Sequence, residues 1–123
     1  MLCAPVLSQE AAVEALKADD DCVEMRLSYE KRRNLICSLL EEMGLPCHRP
    51  SGAFYVFPYI GDTGLTSQEF AMRLLDEENV ACVPGPAFGA CGEGYVRCAY
   101  ATDIDEIREA MRRMAGFLKR LKA

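Results

Sequence analysis

One arginine stands where a buried charge would need a partner. The stretch "YVRCAYA" (95–101) has the composition of a β-strand, and strand side chains alternate between two faces. Val96, Cys98 and Tyr100 therefore share one face, and Tyr95, Arg97 and Ala99 share the other. A guanidinium does not lose its proton in a protein, so a covered Arg97 must be paired. Its planar fork suits a carboxylate, whose two oxygens it can grip together. Three surroundings remain open on this pattern: solvent, an internal Asp or Glu, or the carboxylate of a ligand.

The segment leading into that strand is "VPGPAFGACGEGYVR" (83–97), punctuated by Pro84, Gly85, Pro86, Gly89, Gly92 and Gly94. Glycine adopts backbone conformations closed to other residues, so such a loop can bring main chain close to a ligand. It has neither the G-x-G-x-x-G spacing nor the P-loop spacing of phosphate sites. The glycines alone thus also fit a set of tight turns.

Helices and strands must position this pair of features. "LSQEAAVEALK" predicts a first helix with Ser8 as N-cap and Ala12, Val13 and Leu16 as its apolar stripe. A second helix is expected over about 21–43, with apolar residues from Val23 and Leu27 through Ile36, Leu40 and Met43; Gly44 stops it and Pro46 follows. A third opens at "TSQE", where Thr66 and Glu69 have capping-box spacing, and runs to Asn79. A fourth opens at "DIDE", with Asp103 and Glu106 in the same relation, and carries a basic end. Strands are expected at 53–57, 80–83 and 95–101. Helices flanking a small sheet define an α+β domain.

The chain of 123 residues is most simply one domain, 1–123, and no repeat or linker divides it. Its formal charge of −5 argues against nucleic acid and against an acidic membrane surface, both of which select Lys and Arg. No apolar run approaches a spanning helix and the opening lacks a basic leader, so a cytoplasmic location is expected. The seven cysteines include no C-x-x-C pair and His48 is the single histidine, which supports neither a disulfide framework nor a metal site. The thiols read as small buried hydrophobes, and His48 as a loop residue.

Several segments, in order, carry a resemblance. "SQEAAVEAL" (8–16), "YEKRRNLICSLLEEMGL" (29–45), "RPSGAFYVFP" (49–58), "VACVPGPAFGACGEGYVRCAYA" (80–101) and the closing amphipathic helix resemble the C-terminal part of class I/II aminotransferases, the pyridoxal-phosphate enzymes of the aspartate aminotransferase type. The likeness spans nearly the whole chain. It rests on "GAFY" followed by "VPG", "FG", "GEG" and "VR" in combination.

The resemblance implies the small domain of a fold-type I enzyme, with an antiparallel or mixed sheet packed against helices. It implies that Arg97 binds the α-carboxylate of an amino acid or 2-oxo acid substrate. Phe54 matches a position lining the substrate site, and Gly85 and Phe88 match the loop that approaches it. Pyridoxal 5'-phosphate is implied for the full-length parent, a homodimer, and not for this chain alone. The family's Schiff-base lysine belongs to a larger upstream domain, whereas Lys17, Lys31, Lys119 and Lys122 here sit among polar neighbours on predicted helices. No catalytic residue is therefore expected in this chain, which by itself is expected to be inactive. A free-standing carboxylate or amino-acid binding module, or an inactive remnant, is the alternative, and related lyases and synthases share much of this domain.

Overall fold

The computed structural model describes residues 3–122. Four helices, α1 (Val6–Ala15), α2 (Asp19–Glu42), α3 (Ser67–Glu78) and α4 (Ile104–Leu121), accompany three strands, β1 (Tyr55–Val56), β2 (Val83–Pro84) and β3 (Val96–Ala99). The sheet order is β1-β3-β2 and both pairings are antiparallel. The α+β architecture is thus as expected, with β3 central.

β3 pairs Tyr55 with Ala99 and Val56 with Cys98 on one side, and Val83 with Arg97 and Pro84 with Val96 on the other. β1 and β3 are shorter than the expected ranges, and β2 is displaced, keeping only Val83 of 80–83 and adding Pro84. Ala53 has φ 60, outside the extended region, so β1 starts only at Tyr55. Beyond Val56 the pairing with β3 continues as one bridge, Tyr59 with Tyr95, because Pro58 has no N–H to donate. Its carbonyl still accepts the Val96 N–H at 3.3 Å.

Alternation sorts the sheet cleanly. Val56, Pro58, Ile60, Val96, Cys98 and Tyr100 point inward and are buried. They meet Ile36 and Leu40 of α2, Phe70 and Leu74 of α3, and Ile107, Met114 and Phe117 of α4. A fully buried Leu or Phe contributes about 1.5–3 kcal/mol. The Phe70 and Phe117 rings cross edge-on with centroids 5.4 Å apart. Tyr100 keeps its hydroxyl satisfied in this core by donating to the Ala53 carbonyl at 2.8 Å.

The helix boundaries follow their caps. Thr66 and Glu69 form the full capping box of α3, which ends at Asn79 with φ 55. Asp103 caps α4 by accepting the Asp105 N–H at 2.8 Å, while the reciprocal bond expected from Glu106 is not formed. α2 ends in a Schellman arrangement: Gly44 at φ 77 lets the Leu45 N–H reach the Leu40 carbonyl at 3.0 Å.

Four expectations need correction. α1 begins at Val6 after an extended Pro5, so Ser8 lies inside the helix and is not its cap. The stripe Ala12, Val13 and Leu16 is exposed, and α1 buries no residue. α2 starts at Asp19, where three aspartates suit the positive end of the helix dipole, and its Val23 and Leu27 stay exposed because burial begins only near Ile36. The thiols also divide: Cys37 and Cys98 are buried, but Cys3, Cys22 and Cys91 face solvent.

Candidate functional site

The outer face of the sheet is built from the other half of each strand. Tyr55, Phe57 and Tyr59 lie on it opposite Ala99, Arg97 and Tyr95, the register following from the Tyr55 and Tyr59 pairings, and Val83 adjoins Arg97 from β2. Among the described residues no helix covers this face: Phe57 and Tyr95 are exposed and Arg97 is half-buried.

Arg97 occupies the centre. Its guanidinium carbon lies 4.2 Å from the centroid of Tyr55 and 4.3 Å from that of Phe88, over both rings. These distances are well inside the range of cation–π attraction. Phe88 in turn meets Phe57 edge-on at 5.6 Å, and Tyr55 meets Phe54 at 4.5 Å. Among the described residues no ion pair includes Arg97, whereas all four arginines of α4 are paired with carboxylates. An internal acidic partner is therefore not what this arginine has. Its surroundings are two ring faces and an open rim.

The loop carrying Phe88 is pinned at three points. The Gly85 N–H donates to the Tyr95 carbonyl at 2.8 Å. Gly85 and Gly92 pack backbone to backbone, so that a Cβ on either would overlap the carbonyl oxygen of the other. The Glu93 carboxylate accepts the Ser67 N–H at 2.9 Å, and the buried Ser67 hydroxyl accepts the Gly94 N–H at 2.9 Å. The start of α3 thereby anchors the exit of the loop. Two short 3₁₀ turns, Gly85–Phe88 and Ala90–Gly92, complete it.

The four residues singled out from the sequence thus fall in one region. Arg97 and Phe88 touch, Phe54 joins them through Tyr55, and buried Gly85 begins the turn that ends in Phe88. Sequence reasoning missed Tyr55, Phe57, Ser67 and Glu93. Alternation could have placed Tyr55 and Phe57 on the Arg97 face, but only the register makes them its neighbours. A depression of about 560 Å³ lined by Phe57, Tyr59, Tyr95 and His48 opens on the same side. A second groove of about 530 Å³ between α2 and α4 is mostly apolar, and its arginines, Arg108 and Arg112, are already paired.

Lysine chemistry finds no place at this site. Lys31 and Lys119 are exposed on α2 and α4, and Lys17 and Lys122 are exposed just past the ends of α1 and α4. Among the described residues no cluster of His, Cys, Asp and Glu could hold a metal ion, and no helix is long and apolar enough to cross a membrane.

Comparison with known proteins identifies the family. The family of class I and II aminotransferases matches residues 1–114, and the chain belongs to that family. It is 50% identical over 123 residues to aromatic-amino-acid aminotransferase 2 of Thermococcus litoralis, covering 98% of this chain and 32% of that protein. It is equally identical, with the same coverage, to the aspartate aminotransferase of Pyrococcus abyssi. The crystal structure of an aromatic aminotransferase from Pyrococcus horikoshii superposes with a TM-score of 0.89 at 52% identity, over 93% of this chain and 31% of that one. The chain spans about a third of the length of the relatives it matches.

Proposed function

We propose that this chain is the C-terminal small domain of an aminotransferase that moves an amino group between an amino acid and a 2-oxo acid, and that Arg97 holds the substrate's α-carboxylate. The observation that carries the proposal is the guanidinium at the open outer face of the sheet, flanked by two rings and lacking an acidic partner among the described residues. The two relatives point the same way. One is named for aromatic amino acids and the other for aspartate, yet both are 50% identical to this chain. What this domain shares with both should serve what their substrates share, and every amino acid has an α-carboxylate.

Arg97 orients the substrate and contributes position rather than proton transfer. Pyridoxal phosphate would supply the electron sink for the reaction in the whole polypeptide, a homodimer. The lysines of this chain do not fit that cofactor, being exposed on helices or just past their ends. It belongs with residues outside this chain, and the exposed Val6, Leu7, Val13 and Leu16 of the α1 segment are surface for the rest of the polypeptide to cover.

Arg97→Ala in the full-length polypeptide tests the reading. Charge-assisted bonds of this kind are worth about 1.5–3 kcal/mol, so maleate and 3-phenylpropanoate, two carboxylates without an amino group, should each bind about tenfold to hundredfold more weakly. Unchanged affinity for both would remove Arg97 from the site. The isolated chain mixed with pyridoxal phosphate and borohydride should give no stoichiometric adduct at a single lysine.

A further inference from the structure

We propose that Phe88 and Tyr55 are positioning residues for Arg97: they grip the two sides of its guanidinium and hold its hydrogen-bonding rim toward the carboxylate, without touching the substrate themselves. The inference rests on the reading of Arg97 as a carboxylate clamp and assigns the loop aromatic a role within it.

The geometry supplies the argument. The guanidinium sits over Tyr55 at 4.2 Å and over Phe88 at 4.3 Å, so the near face of each ring is occupied by Arg97 and is unavailable to a ligand. The faces of a guanidinium carry no donors, while its five N–H groups radiate in its plane. Covering the faces leaves every donor free for a planar carboxylate. It also restrains a side chain that otherwise explores many rotamers, freedom that binding would have to remove.

Phe88 has little else to do. It is 49% exposed, belongs to no part of the hydrophobic core, and touches one further ring, that of Phe57. A large aromatic left half in water on a loop pinned by Gly85, Gly92 and Glu93 is placed for its face, not for burial. Tyr55 comes from β1, so the two rings approach Arg97 from separately anchored segments.

The test is a variant series in the full-length polypeptide, read as dissociation constants for maleate and 3-phenylpropanoate, as KM and kcat, and as thermal midpoint. Phe88→Leu keeps apolar bulk and loses the ring face; it should weaken both ligands and raise KM about two- to fivefold, with kcat and the midpoint nearly unchanged. Phe88→Tyr restores the face and should return affinity to the starting value. In an Arg97→Ala background Phe88→Leu should have no further effect, because the ring then has nothing to hold.

Leucine binding as well as phenylalanine would overturn the proposal, as would a penalty from Phe88→Leu that persists without Arg97. Either result leaves the carboxylate reading intact if Arg97→Ala alone still weakens both ligands. If Arg97→Ala changes nothing, both proposals fall together, and that outcome is distinct from the first two.

Discussion

Ser67 and Gly94 are joined by a hydrogen bond in which the buried hydroxyl of the first helical residue of α3 accepts the N–H of a loop glycine 27 residues later, at 2.9 Å. Beside it the Glu93 carboxylate accepts the Ser67 N–H at 2.9 Å. One free donor of the helix start and one loop amide are satisfied together, and the charge of Glu93 lies at the end of α3 that favours an anion. The "GEG" of the sequence is in this sense a latch between α3 and the loop that carries Phe88.

Removing the latch should cost stability. Ser67→Ala leaves the Gly94 N–H without its partner in a half-buried place, for which we expect about 1–3 kcal/mol in urea unfolding. Glu93→Gln keeps an acceptor and should cost less than Glu93→Ala. Equal stability of Ser67→Ala and the parent chain would show that this bond is not worth its geometry.

The glycines of the chain should differ sharply in their tolerance of a methyl group. Gly85→Ala drives a Cβ into the Gly92 carbonyl, and overpacking of that sort costs about 1–3 kcal/mol. Gly52→Ala meets nothing within 4 Å and needs no positive φ, so it should be neutral or gain about 0.4–1 kcal/mol from a less flexible unfolded chain. Comparison of the two unfolding midpoints decides the matter, and similar values would mean that the Gly85–Gly92 contact relaxes freely.

Acid should act on α4 through Glu109. Its carboxyl accepts bonds from Arg112 at 2.7 Å and Arg113 at 2.8 Å, and these, Arg112 first, pull its pKa down to about 2. A depressed folded-state pKa means stability that is fully present above the unfolded value of about 4.3 and lost as pH falls through the folded one. The stability difference between the parent chain and Glu109→Gln should thus be constant at neutral pH, shrink below about pH 4 and vanish near pH 2. Because the group is half-exposed, added salt should shrink it too. A difference independent of pH would contradict the ion-pair assignment.

The cysteines should react in two waves. Cys3, Cys22 and Cys91 are exposed, while burial pushes the Cys82 thiol up to about 11 and that of Cys98 higher still. Thiolate is the reactive form, so iodoacetamide at pH 8 should label the first three in the folded protein and reach Cys82 and Cys98 only after unfolding. Peptide mass spectrometry reads the order directly, and early labelling of Cys98 would mean that the inner sheet face opens in the native state.

What could be read from the sequence was what local chemistry decides. The Thr66–Glu69 box, the Gly44 stop and the alternation around Arg97 each depend on residues within a few positions, and each is found in the fold. The α1 cap and the first half of α2 misled because an apolar stripe promises a partner without supplying one; Val23 and Leu27 have helical spacing but stay nearly half exposed here. The neighbours of Arg97 were illegible for another reason. Tyr55 reaches it through the antiparallel register and Phe88 through a loop whose path is set by the Gly85–Gly92 contact, and neither relation is local in the chain.

α1 buries nothing, and that divides the chain into two thermodynamic classes. A helix of ten residues without tertiary support lies below the roughly 12–15 residues at which isolated helices become even marginal in water. Amide protons of Val6–Ala15 should therefore exchange with deuterium almost as fast as in an open peptide, while those of β3 and the second half of α2 wait for global opening. Whatever covers α1 would reveal itself by slowing that exchange, without any need to know beforehand what it is.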